Sequence, residues 1–126
     1  MAENKLMASV RQASPKVNVI DIEGEITSFS EQILTEAYNQ SIKENVRTVI
    51  FNFSKMSYMN SFGIGMLIVL LVRAKREGKN VVGYGLNEHF KKIFELTRLD
   101  QVIPIYSNED IAMASAEPHD LPEREY

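Results

Sequence analysis

Few residues in this chain could do chemistry, and their spacing rules out most of it. There is no cysteine, which removes disulfides, thiolate nucleophiles and cysteine-held metals. The two histidines, His89 and His119, stand far apart. His89 falls in the first turn of a helix and reads as an exposed residue, and His119 lies in a polar terminal stretch. Glu23 and Glu25 flank Gly24 and invite a paired-carboxylate reading, but a solvated strand end is the simpler account. No phosphate-binding glycine loop or three-glycine dinucleotide fingerprint follows a strand, since Gly83-Tyr84-Gly85 lacks the third glycine. What remains is a hydroxyl. Ser61 sits in the run Ser54 to Met66, between a strand-like segment and an apolar helix, where the first unpaired N–H groups of a helix point. A serine there is either a plain cap worth ~1 kcal/mol or a modifiable switch. Gly63 and Gly65 follow it, and each costs a helix up to ~1 kcal/mol relative to alanine. Helix stability does not account for both; glycine does let another chain come close. Met56, Met59, Phe62 and Met66 supply an adaptable apolar rim around them.

The rest of the composition narrows the setting. With 126 residues, 44% apolar and 25% charged, one domain with a real core is expected. A net charge of −3 argues against a nucleic-acid surface, which needs a basic stripe. Arg73, Lys75, Arg76 and Lys79 read as helix termination, and Lys91-Lys92 as a solvated face. Met1 to Val10 lacks the basic flank and apolar core of a secretory signal. The longest apolar run, Met66 to Val72, is far short of the ~20 residues that cross a bilayer. A cytoplasmic protein with no metal, cofactor, nucleic-acid or membrane partner is the expectation.

These residues need elements to hold them. Residues 1–7 read as a loose terminus and Ala8 to Gln12 as an edge strand. Val17 to Ile22 is a β-branched run ending at Gly24. Ser28 and Glu31 have capping-box spacing ahead of a helix whose apolar face is Ile33, Leu34, Ala37, Tyr38, Ile42 and Val46. Thr48 to Phe53 alternates, with Val49, Phe51 and Phe53 on one face. A helix from about Ser61 to Glu77, stopped by Gly78, is apolar nearly all round and is expected to be covered on more than one side. Val81 to Gly85 reads as a buried strand, Asn87 as the cap of a helix carrying Phe90, Ile93, Phe94 and Leu99, and Val102 to Tyr106 as an edge strand interrupted by Pro104. Asn108 to Ser115 forms a last helix, and residues 116–126 read as a disordered tail. Alternating strands and helices give one α/β domain with a mostly parallel or mixed sheet.

Within this frame, Met59-Asn60-Ser61-Phe62-Gly63-Ile64-Gly65 resembles the Met-Asp-Ser-Ser-Gly-Leu-Gly turn of the STAS domain of bacterial anti-sigma factor antagonists. Phe51 to Met56, Gly24-Glu25-Ile26 and Lys92 to Leu99 are similar to that family's strand and loop, its Gly-Glu-Leu turn and its third helix, and the likeness spans about Val17 to Ser115. The resemblance implies a single STAS-like domain over 8–115, with a mixed sheet of four to five strands packed against three to four helices. It implies a regulatory protein, not an enzyme. Its partner would be a serine-kinase anti-sigma factor that phosphorylates Ser61, with a phosphatase restoring it, and the protein would be a monomer or weak dimer. Thr27, Met56, Met59, Asn60, Phe62, Gly63, Ile64 and Gly65 would form the partner-binding surface. The chain departs from the pattern at Asn60 and Thr27, where the family has acidic residues, and at Phe62, where it has a small hydroxyl residue. Two other readings stand beside this one: a constitutive scaffold module that is never phosphorylated, and a ligand-binding or enzymatic domain with a pocket between the Gly24–Thr27 and Ser61 loops.

Overall fold

Strand alternation and helical periodicity sort this chain into two layers around a sheet. The computed structural model describes residues 6–43 and 45–116. In chain order it has β1 (Leu6–Ser14), β2 (Val17–Ile26), a 3-10 turn (Ser28–Ser30), α1 (Glu31–Ser41), β3 (Thr48–Met59) and α2 (Ser61–Arg76). Then come β4 (Asn80–Tyr84), α3 (Glu88–Leu96), a second 3-10 turn (Leu99–Gln101), β5 (Ile105–Tyr106) and α4 (Glu109–Ala116). The strands lie side by side in sequence order, β1 antiparallel to β2 and the others parallel. This is the mixed-sheet α/β domain expected from the alternation.

Successive strand residues point to opposite faces, and each face finds its own cover. Ile20, Ile22 and Ile26 of β2 join Val49, Phe51 and Phe53 of β3 under α1, α2 and α3. Val17, Val19, Ile50 and Val82 face the other way, beneath Ala112 and Ala116 of α4. Phe53 stacks on Phe51 at 5.8 Å and meets the edge of Phe94 of α3 at 6.1 Å. Each fully buried side chain of this size contributes roughly 1.5–3 kcal/mol. Asn87 caps α3 as expected, accepting from the Phe90 N–H at 2.9 Å.

Several boundaries differ for physical reasons. Leu6 is buried and Met7 lies in β1, so these two residues belong to the sheet and not to a loose terminus. Ala116 closes α4 and is buried; the remaining terminal segments, 1–5 and 117–126, lie outside the described residues. β3 continues beyond Phe53 to Met59. Two extra residues in β3, one between Asn52 and Lys55 and one between Met56 and Tyr58, shift its register against β2, and such bulges destroy the alternation that marks a strand. The capping box is made by Thr27 and Ser30, one residue before the Ser28 and Glu31 spacing. Ile33 is 39% exposed, and Ile42 and Val46 fall beyond the end of α1. On α2 the expected cover is partial: the sheet takes one side and α1 lies along a flank, where Arg73 sits over Tyr38 and bonds Asn39, but Phe62, Ile68, Val69 and Val72 are all substantially exposed, so the outer face is left open.

α4 is fastened by charge as well as apolar contact. Arg11 of β1 binds Asp21 at 2.6 and 3.1 Å and Glu109 of α4 at 3.0 and 2.7 Å. Tyr84 donates its hydroxyl to Glu109 at 2.8 Å. The Arg11 bonds hold Glu109 below its ordinary carboxylate range, against an opposing effect of burial. Burial alone would push Asp21 up, but bonds from Arg11 and Asn52 leave it lowered. Depressed carboxylate values stabilise the fold above the unfolded values and lose that contribution as pH falls through the folded ones. Acidification below about 4 is therefore expected to loosen α4 before the helices on the other face, read as earlier loss of amide protection over Glu109–Ala116. Glu109→Gln should flatten that acid dependence.

Candidate functional site

β2 and β3 are parallel neighbours, so their carboxyl ends finish side by side, with Ile26 opposite Met59. The chain leaves each in a turn that starts a helix, and the two turns adjoin. Ligands and partners of open α/β sheets meet the fold at such strand ends.

The first turn is closed on itself. Thr27 Oγ1 accepts from the Phe29 N–H at 3.2 Å, Ser30 Oγ accepts from the Thr27 N–H at 2.9 Å, and Ser30 donates to the Glu25 carbonyl at 3.0 Å. The Thr27 hydroxyl thus accepts one bond within its own turn, and the residue is half-buried beside the Ser61 turn. This closure pushes Phe29 outward to 79% exposure.

The second turn begins α2. Asn60, not Ser61, is the cap: its Oδ1 accepts from the Gly63 N–H at 2.9 Å and its carbonyl from the Ile64 N–H at 3.0 Å. Asparagine caps as well as aspartate does, so the change from the family's acidic residue keeps the helix start while removing its charge. Ser61 is the first helical residue and is exposed. No described residue bonds its hydroxyl, nor the N–H groups of Ser61 and Phe62. The Asn60 N–H donates to the Ile26 carbonyl at 3.2 Å, tying the two turns together.

The expected partner surface divides. Met56 and Met59 are buried in the core, so these two side chains support the turns from beneath and do not face a partner. Ile64 is half-buried against the same core. Gly63 is also buried, and a Cβ there would lie 2.5 Å from the Ile26 carbonyl oxygen. Its glycine serves contact within the chain, not contact with another. Gly65 is the opposite case: a Cβ there would meet nothing within 4 Å. It lines a cleft of about 400 Å³ between α1 and α2, with Glu31, Thr35, Phe62, Met66, Val69 and Leu70. Alanine at Gly65 is expected to raise stability by about 0.5–1 kcal/mol, read as a higher urea midpoint. A neutral or destabilising result would mean that the glycine has a packing role.

The outward residues Phe62, Gly65, Val69 and Val72 recur at three- and four-residue steps along α2, three of them exposed large apolar side chains. Single exposed apolar residues are ordinary, but a continuous row beside a cleft marks an interaction surface. Val69, Val72 and Phe29 were not singled out in the sequence. An all-round apolar helix does not reveal which side the sheet covers. Ser61 stands at one end of this row. A second cleft of about 420 Å³ lies at the opposite end of the sheet, by Thr48, Lys75, Lys79 and Tyr106. There Lys79 donates to the Val46 and Lys43 carbonyls at 2.6 and 3.2 Å, which closes the neighbouring turns. Among the described residues no three His, Asp or Glu side chains converge as a metal site would require.

Comparison with known proteins agrees with this geometry. The STAS domain family model matches residues 9–112. The anti-sigma-B factor antagonist of Staphylococcus epidermidis is 23% identical over 92 residues, covering 73% of this chain and 85% of that protein. An anti-sigma factor antagonist from Mycobacterium paratuberculosis superimposes with a TM-score of 0.71 at 22% identity, over 88% of this chain and 93% of that one. The unphosphorylated form of the anti-sigma factor antagonist SpoIIAA gives a TM-score of 0.68 at 18% identity, over 89% and 97% of the two chains. The phosphorylated form of SpoIIAA, from Bacillus, gives 0.62 at 18% identity, over 88% and 100%.

Proposed function

The chain belongs to the STAS-domain family, and from that premise we propose that it is an anti-sigma factor antagonist, switched by phosphorylation of Ser61. The unmodified protein docks a serine-kinase anti-sigma factor in the cytoplasm through Ser61, Phe62, Gly65 and the apolar row of α2. The kinase then transfers the γ-phosphoryl group of ATP to the Ser61 hydroxyl, releasing ADP and the phosphorylated antagonist. A phosphatase hydrolyses the phosphoserine and returns the protein to its binding form.

The observation that carries this reading is the exposed Ser61 hydroxyl, bonded by no described residue, at the first position of α2 and at the end of an exposed apolar row. Relatives named as anti-sigma factor antagonists, one of them solved in both phosphorylation states, lend it support. The local physics is permissive. A phosphate there adds roughly −1.5 to −2 charges beside two open N–H donors and the positive end of a helix dipole, both of which favour an anion. The uncharged Asn60 removes a carboxylate that would otherwise repel it. The fold can therefore accept the modification while the docking surface gains negative charge.

Incubating the chain with the serine-kinase anti-sigma factor of its own cell and ATP is expected to place a single phosphate on Ser61, mapped by mass spectrometry. Ser61→Ala should remain unlabelled and still bind. A protein that binds the kinase but takes no phosphate would instead be a constitutive scaffold module, the reading that bulky Phe62 favours. Phosphate on Ser54 or Ser57 in place of Ser61 would overturn the assignment.

A further inference from the structure

The two edges of the sheet are built differently. β5 is two residues long and follows Pro104, the short, proline-flanked form that resists pairing with another chain. β1 is nine residues long, contains no proline, and is regular against β2 from Leu6 to Gln12. Alternate residues along an edge strand turn their N–H and C=O groups outward, and no described residue bonds the outer side of β1. Natural edges left open in this way are usually guarded by a charge. Here the single charged residue of β1 is Arg11, and its guanidinium is neutralised by Asp21 and Glu109 on the α4 face. The guard is disarmed by its own partners.

The flank of α1 beside this edge is apolar too. Glu31 and Thr35 line the α2 cleft, so helical spacing puts Ile33 on the other flank, towards β1, where it is 39% exposed. Ala8 and Val10 of β1 pack only partly against the core beneath it.

We propose that β1 is a homodimer interface, on which a second copy of the chain lays its own β1 antiparallel about a two-fold axis. The sheet then runs unbroken through both copies, with Ala8, Val10 and Ile33 meeting their counterparts. An antiparallel pair of identical strands satisfies the isologous symmetry of common dimers. The neutralised Arg11 lets the two edges approach without like-charge repulsion. The α2 row and Ser61 lie beyond the opposite flank of α1, so both copies keep their partner surface free.

Sedimentation of the purified chain over a wide concentration range should show mass rising to twice the monomer value. Ile33→Lys and Ile33→Glu should each raise the dissociation constant about tenfold or more, by opposing like charges across the axis. Their thermal melting at dilute, monomeric concentration should be unchanged. Because the chain has no cysteine, Met7→Cys, Ser9→Cys and Gln12→Cys can be oxidised one at a time. Whichever lies nearest the axis should form a disulfide-linked dimer, while Lys92→Cys on α3 should not. A mass that stays monomeric at every concentration, or a dimer that both Ile33 variants leave undiminished, overturns the proposal. Neither result depends on whether Ser61 is phosphorylated.

Discussion

Replacing Gly63 with alanine is expected to destabilise the fold by about 1–3 kcal/mol, although the same exchange in an ordinary helix adds up to ~1 kcal/mol. The reason is the seam between the two turns. A Cβ on Gly63 would stand 2.5 Å from the Ile26 carbonyl oxygen and 2.9 Å from both Ile26 Cγ2 and Met59 Cγ. A flexible side-chain tip could swing aside, but the carbonyl is backbone and is already engaged by the Asn60 N–H. Relief requires moving the end of β2 or the start of α2, and either movement strains the bond that fixes the Ser61 turn. Gly65→Ala is the internal control, two residues along the same helix with open space at its Cβ. The pair should move the urea midpoint in opposite directions. Equal stabilisation by both alanines would show that α2 does not pack on the Ile26 carbonyl.

That contrast also shows what the sequence could and could not convey. Two glycines in the first turns of an apolar helix were legible as a cost to stability. Their separate reasons were not, because Gly63 meets a residue 37 positions earlier in the chain (Ile26), and no local pattern encodes that approach. The β-branched run of β2, the Val49, Phe51 and Phe53 face and the Asn87 cap could be read because strand alternation and capping are local chemistry. β3 was read only as far as Phe53 because its bulges break the alternation there. The Met56 and Met59 side chains passed for a partner surface for the same reason: once the strand is extended, they fall on its buried face. Asn60 was read as a departure from the family pattern, whereas its Oδ1 makes the cap. The exposed row of α2 was hidden by its own composition, since a helix apolar on every side gives no clue to which side the sheet takes.

Ser61→Asp is expected to weaken binding to the serine-kinase anti-sigma factor by about 100-fold or more, some 2.7 kcal/mol, while melting temperature holds or rises slightly. The two effects separate because they come from different neighbours. Inside the fold, a carboxylate at the first position of α2 faces the positive end of the helix, which stabilises by about 0.3–1 kcal/mol, and Asn60 beside it carries no opposing charge. At the interface, the same carboxylate borders Phe62 and the α2 row, whose Val69 is 65% exposed in the free chain. A partner that covers this row must strip water from an unpaired anion, at a cost of several kcal/mol. Phe62→Ala removes contact area without adding charge, so it should weaken binding with little dependence on salt, whereas the defect of Ser61→Asp should shrink as ionic strength rises where like-charge repulsion contributes. Calorimetric titration of both variants at low and high salt reads the two components separately. Parent-like affinity for Ser61→Asp would remove Ser61 from the docking surface, leaving Phe62 and Val69 as an apolar patch with no switch attached to it.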